Sequence, residues 1–390
     1  QRHGAAKGWA DDMDAGAEPC SDVTSFLYLK SAFLAMEPAH FLISLARQAG
    51  GGSITTKVQT FILEDCIKDI VGKGTELNHK YIKNILQKLI VAVESTSDIV
   101  VEDLYEKFAY YLTIQLDDQL LEENNRIYKQ ITFLLSLGQK CSSAMDLKVP
   151  LQCSLNMLEG DTGCALWPSS LFLSELILSY QEVFSKKFCF EIGSGVGLVG
   201  IALLHVGASG VVLTDGDIST LANMKSNIEL NHLDLPSERT SAKAMVECKY
   251  LPWESASKRE LQDYGPEIIL GADVIYDPHC IPHLVRVLSA LLSPTSSEPK
   301  GNGANCCGPT QDTDDADKLL QNKEEEASVA YIATVIRNQK TFDYFLRVAA
   351  ESPLSVLDIT EMMKPMSLLP YMLSYDRSSV HLLKVSFLCN

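Results

Sequence analysis

Hydrophobic and polar positions along this 390-residue chain follow two different periods. Between about position 24 and position 140, apolar residues return every three or four places. Ile82, Ile85, Leu86 and Leu89 mark one stripe. Val101, Leu104, Tyr105, Phe108 and Leu112 mark another, behind a cap at Ser97 or Asp98, and this spacing predicts amphipathic helices. Gly50–Gly52 and the Gly72–Gly74 segment punctuate them. After about position 145 the pattern changes to short apolar runs rich in β-branched and aromatic residues. The runs 188–192, 211–215, 242–248, 267–276, 331–336 and 378–388 read as strands, with helical stretches near 198–206, 217–231, 280–292 and 340–350. That alternation predicts an α/β fold: a parallel, Rossmann-like sheet of about seven strands covered on both faces. The expected organisation is a flexible tail over 1–23, a helical N-terminal domain over 24–145 and an α/β domain over 146–390. Residues 293–327 interrupt the alternation with Gly, Ser, Pro and Asn, and with eight acids against three lysines. This stretch reads as an acidic disordered insertion between a helix and the next strand.

Charge narrows the partners. Lys plus Arg number 33 against 50 Asp plus Glu, a net charge of −17. Phosphate binding needs the opposite balance, so direct nucleic-acid binding is not expected. An acidic body suits solubility, a basic protein surface or a cationic ligand. No uncharged apolar run approaches the ~18 residues that cross a bilayer, so a soluble protein without membrane contact is expected. The eleven cysteines are odd in number, irregularly spaced and free of any C-x-x-C, which fits free thiols in a reducing compartment. The first residues hold no apolar signal-peptide core and are too acidic for a transit peptide, so a cytoplasmic address is expected, and the protein is expected to be a monomer. His279 and His283 stand four apart but lack further ligands at fitting spacing, and no metal is expected.

The segment from Phe190 to Gly200, FEIGSGVGLVG, carries the most chemistry. A strand runs into a glycine turn that opens a helix near Leu198, so a ligand can lie against bare main chain at the helix N-terminus. Two readings compete. Gly195, Gly197 and Gly200 match the spacing of a dinucleotide loop, whereas Glu191, Gly193, Gly195 and Gly197 match the acidic loop of enzymes that use S-adenosylmethionine. Three features favour the second. Glu191 stands where an acid can meet the cationic end of that cofactor, whereas it would repel a pyrophosphate. Asp215 ends the second strand, where a carboxylate binds ribose hydroxyls in either reading. No second domain for hydride transfer follows. Downstream, Trp253 in Leu251–Glu254 can lie against an adenine face, and Asp273 and Tyr276 stand at the carboxyl end of the fourth strand, beside the expected switch point.

Together, EIGSGVGLVG, the LTD at 213–215, LPWE at 251–254 and GADVIYDP from Gly271 resemble the seven-strand protein-lysine methyltransferases of methyltransferase family 16, where Asp273-x-x-Tyr276 is the hallmark. Gly163–Trp167 and Ala333–Asn338 are similar to the branch that methylates elongation factor 2. The resemblance spans about 150–390 and, loosely, 24–150. It implies S-adenosylmethionine as cofactor, with Trp167, Gly193, Ser194, Gly195, Asp215, Trp253 and Ala272 lining it. It also implies Asp273 and Tyr276 at the target lysine, and elongation factor 2 as protein substrate. Asp273 is expected to orient the amine, and Tyr276 to wall the lysine channel. The alternatives are a methyltransferase-like binding module without catalysis and, further off, a nicotinamide-dependent oxidoreductase.

Overall fold

A computed structural model describes residues 22–68, 77–96, 98–114, 126–135, 146–154, 162–232, 245–294 and 327–388. The expected tail up to residue 21, Gly72–Gly74, Ser97, the start of the third strand candidate, and residues 295–326 of the insertion lie outside them. The chain divides into two compact units, 1–156 with 367–375 and 157–366 with 376–390. Among the described residues, no helix is long and apolar enough to cross a membrane.

The first unit holds α1 (Asp22–Leu34), α2 (Ala39–Ala49), α3 (Thr56–Phe61, running into a π-helical turn), α4 (Leu77–Glu94) and α5 (Glu102–Thr113). Ile82, Ile85, Leu86 and Leu89 of α4 are buried, as their spacing predicts. Helix α5 departs from expectation. It begins at Glu102 behind Val101, while Asp98 accepts a hydrogen bond from Thr96 Oγ1 at 2.7 Å. Its buried residues are Leu104 and Tyr111, whereas Tyr105 and Leu112 are exposed. The helical pattern expected up to 140 also gives way to a hairpin, in which β1 (Arg126–Phe133) pairs antiparallel with β2 (Leu147–Ser154). A short run such as RIYKQITF satisfies either period, and a partner strand decides. That hairpin straddles the boundary expected at 145. Buried Asn78 closes on β1, donating to the Tyr128 carbonyl at 2.9 Å and accepting from the Tyr128 N–H at 3.2 Å. Residues 367–375 join the same unit, where the Tyr371 hydroxyl accepts from Thr132 N–H at 2.8 Å.

The second unit opens with α6 (Pro168–Ser179) and the turn α7 (Gln181–Phe184). It continues through β3 (Phe188–Ile192), α8 (Leu198–His205), β4 (Gly210–Asp215), α9 (Ile218–His232) and β5 (Met245–Tyr250). Then follow α10 (Lys258–Tyr264), β6 (Ile268–Ala272), α11 (Ile281–Leu292), β7 (Val329–Val335) and α12 (Gln339–Ala350). The short strand β8 (Leu354–Asp358), absent from the expected set, and β9 (Val380–Phe387) complete it. One seven-stranded sheet runs β5-β4-β3-β6-β7-β9-β8. Pairing is parallel from β5 to β7 and antiparallel on both sides of β9, so the sheet is mixed where a parallel one was expected. The order reverses at β3, with β4 on one flank and β6 on the other, which makes the sheet Rossmann-like and opens a crevice at its carboxyl edge.

Strand alternation sorts the core. Phe190, Ile192, Ala330, Ile332, Leu383 and Val385 face a cluster with α11 and α12. Helix α6 is buried along almost its whole length, including Glu175, whose carboxylate pairs with Arg377 just before β9.

Candidate active site

The glycine loop leaves β3 at Gly193 with φ of 64°, followed by Gly195 at 54° and Gly197 at 83°. A side chain rarely tolerates this left-handed region. Space is short as well, because a Cβ on Gly195 would lie 2.9 Å from the Gly163 carbonyl oxygen. The loop is sewn to β4. Ser194 N–H donates to the Thr214 carbonyl at 2.8 Å, Ser194 Oγ accepts from Thr214 N–H at 3.0 Å, and Gly195 N–H donates to Asp215 Oδ2 at 3.1 Å. Asp215 also accepts from Asp217 N–H at 3.1 Å. Burial still raises its carboxyl above the ordinary range, against these hydrogen bonds.

A cavity of about 320 Å³ opens over this loop, within the range of small-molecule sites. Strand ends supply its wall: Gly193 and Gly195 after β3, Asp215 ending β4, Trp253 after β5, and Ala272 to Tyr276 after β6. Trp167 completes it from the start of α6. The turn carrying Trp253 is held by Arg286 of α11, which donates to the carbonyls of Trp253, Glu254 (3.2 Å) and Ala256 (2.6 Å).

Eight of the expected site residues therefore meet at one wall: Trp167, Gly193, Gly195, Asp215, Trp253, Ala272, Asp273 and Tyr276. Glu191, Ser194 and Gly197 do not. Ser194 is spent on β4, and Gly197 caps α8, where a Cβ would press Met224 at 3.2 Å. Glu191 alternates with Phe190 and Ile192, so its side chain passes to the other face of the sheet, beneath the loop. There burial pushes its carboxyl up to about 8, partly offset by the Ser194 hydroxyl and the Gly200 N–H.

Asp273 departs most from its expected setting. The strand expected to continue to Tyr276 stops at Ala272, because Asp273 turns left-handed with φ of 55°. Its N–H donates to the Ala333 carbonyl at 2.8 Å. Its Oδ1 accepts from Val335 N–H at 3.1 Å and from Arg337 Nη1 at 3.0 Å, and its Oδ2 accepts from Arg337 Nη2 at 3.2 Å. The carboxylate is thus paired in a two-pronged bridge rather than free. Arg337 also lies over the Trp167 ring, 5.0 Å from its centroid, while the Trp167 Nε1–H donates to the Thr162 carbonyl at 3.0 Å. Tyr276 is 59% exposed at the mouth. Arg337 was missed as a site residue, although it lies just beyond the carboxyl end of β7, on the edge that carries the rest. Thr220 and Cys280 on the wall were missed too. Burial and nearby Asp277 and Glu254 raise the Cys280 thiol, which keeps it protonated and disfavours a thiolate nucleophile.

The residues fit the expected cofactor: bare glycine main chain, a carboxylate at a strand end and two indoles on one wall. Among the described residues, no group of three His, Cys, Asp or Glu could hold a metal ion. Residues 148–299 match the lysine methyltransferase family. That match covers the glycine loop, Asp215, Trp253, Asp273 and Tyr276. A Dictyostelium discoideum protein of uncharacterised function is 32% identical over 244 residues, 57% of this chain and 58% of that protein. The human protein-lysine N-methyltransferase EEF2KMT is 26% identical over 250 residues, covering 61% of this chain and 71% of the relative. The yeast protein-lysine N-methyltransferase EFM3 is 25% identical over 213 residues, 48% of this chain and 60% of the relative. The chain therefore spans about three fifths of the length of the first of these relatives.

Proposed function

We propose that this chain is an S-adenosylmethionine-dependent protein-lysine N-methyltransferase. The observation that carries the reading is the cavity over the left-handed glycine loop, which brings Asp215, Trp253, Asp273 and Tyr276 to one wall inside the family-matched segment. Bound there, S-adenosylmethionine supplies a sulfonium methyl group to a neutral lysine amine. Gly193 and Gly195 offer main chain that a ligand can approach closely. Asp215, with lone pairs beyond those it uses on backbone N–H groups, accepts from ribose hydroxyls. Trp253 gives the adenine a flat apolar face, and Ala272 and Trp167 close the wall. Asp273 and Tyr276 stand at the lysine end, where the Tyr276 ring walls one side of the lysine channel. Fixing acceptor and donor in one cavity supplies much of the acceleration of a displacement reaction.

In this reading the helical unit serves substrate recognition, the protein works as a cytoplasmic monomer, and elongation factor 2 is its substrate. The names of the human and yeast relatives support a lysine in a protein as acceptor. The test is transfer of labelled methyl from S-adenosylmethionine into a cytosolic extract, with Asp273→Ala as control. One labelled band at the size of elongation factor 2, lost in the variant, is expected. A band of another size keeps the chemistry and discards the substrate, and no band discards the activity.

A further inference from the structure

Attracting a lysine and making it react place opposite demands on this cavity. Four carboxylates face it, those of Asp215, Asp217, Glu254 and Asp273, and no Lys or Arg is among its described lining residues. Negative charge draws in an ammonium group but also favours the protonated form, which has no lone pair to attack with. Asp273 is the most buried of the four, at 7% exposure, and its charge is the one that is answered. Both of its oxygens meet the Arg337 guanidinium, at 3.0 and 3.2 Å. The same guanidinium lies over the Trp167 ring, so one side chain ties two parts of the wall together.

Resting on the lysine methyltransferase reading, we infer that Arg337 is a positioning residue that cancels the charge of Asp273 and seats Trp167, so that the acceptor amine meets a compensated pair. The ammonium proton then passes to bulk water past the exposed Tyr276, and no protein base is needed. The other titratable groups lining this cavity are Asp215 and Asp217 at and just after the end of β4, Glu254 after β5, and Tyr276 and Cys280 after β6, with Asp277 beside Cys280. None of them brings a positive charge. Arginine suits the task because its planar fork satisfies both carboxylate oxygens while its face stacks on an indole.

The full chain is compared with Arg337→Gln, Arg337→Lys and the double variant Arg337→Gln/Asp273→Asn in two measurements. Thermal unfolding is followed from pH 5 to pH 8. Arg337→Gln should lose stability relative to the parent as pH rises, because a buried carboxylate without its guanidinium resists ionisation, and Asp273→Asn in the same chain should abolish that dependence. The initial rate of labelled methyl transfer from S-adenosylmethionine into a limiting cytosolic extract is then followed from pH 6 to pH 10. The rising limb of Arg337→Gln should move up by about one pH unit, with about a tenfold lower rate near neutrality. The limb of Arg337→Lys should stay near the parent's, and the double variant, which lacks the Asp273 carboxylate, serves the stability measurement alone. A limb that does not move in Arg337→Gln overturns the inference and leaves the enzyme reading intact. A pH-independent stability difference shows that the pair does not form and overturns it whatever the activity. A parent that transfers no label overturns the enzyme reading, and the inference falls with it.

Discussion

At Gly195 a single methyl group is enough to disturb the loop. The residue sits at φ of 54°, and the atom a Cβ would meet is a backbone oxygen, which cannot swing aside as a side chain can. Left-handed backbone costs a residue with a β-carbon on the order of 1–2 kcal/mol, and the contact adds to it. Gly195→Ala is expected to lower stability by about that amount and to weaken S-adenosylmethionine binding at least about tenfold, as read by calorimetric titration. Glu191 calls for a pH experiment. Its carboxyl titrates at about 8 when folded, well above an unfolded glutamic acid, so the folded state holds the extra proton between the two values. Stability contributed by this group is therefore lost as pH rises towards 8, with a slope on the order of 1 kcal/mol per pH unit. Glu191→Gln should flatten that decline between pH 5 and pH 8 in urea unfolding, and an unchanged slope would rule out the buried neutral acid. Residues such as Gly193, Gly195 and Asp215 were legible because their signal is local: glycines that permit a turn, and a carboxylate closing a strand. The partner of Asp273 was not, because Arg337 follows 64 residues later and reaches the site only once β6 and β7 pair.

Helices and strands carry their own tests. Gly200 lies inside α8 where the helix crosses β4, and a Cβ there would come within 2.4 Å of a Leu213 methyl carbon. Alanine improves helix propensity by up to about 1 kcal/mol, whereas overpacking a core typically costs about 1–3 kcal/mol. Leu213 is fully buried, so its methyl groups have little room to yield. Gly200→Ala is expected to be destabilising by about 1 kcal/mol, seen as a lower urea midpoint at unchanged slope, and Gly200→Val by more. A stabilised alanine variant would mean that the helix shifts freely over the sheet. At this scale the strong alternations of the second unit were readable, since parallel strands buried on both faces appear as short apolar runs between helices. The hairpin of the first unit and the edge strand β8 were not. Their patterns are short, and pairing with β2 and β9 decides them.

Taken whole, the chain is not a simple tandem of two segments, because residues 367–375 belong with the first unit although they lie near the end of the second. Tyr371 is fully buried there, and the Leu368 carbonyl accepts from Leu134 N–H at 2.9 Å. A fragment starting at residue 146 keeps β2 but lacks β1, and it exposes Leu368, Leu369 and Tyr371. It is expected to unfold at a lower temperature than the full chain and to aggregate, as followed by scanning calorimetry and light scattering; a fragment as stable as the full chain would show that the two units fold independently. The sequence by itself determined the α/β class, the glycine loop with its acids, and the number and general place of the site's strands, because each depends on neighbours a few residues apart. Only the tertiary structure decided that Asp273 is paired, that Glu191 lies beneath the loop, that β9 runs against its neighbours and that 367–375 crosses to the other unit. Each of these is a contact between distant segments, and its energy comes from burial and pairing that no local pattern encodes.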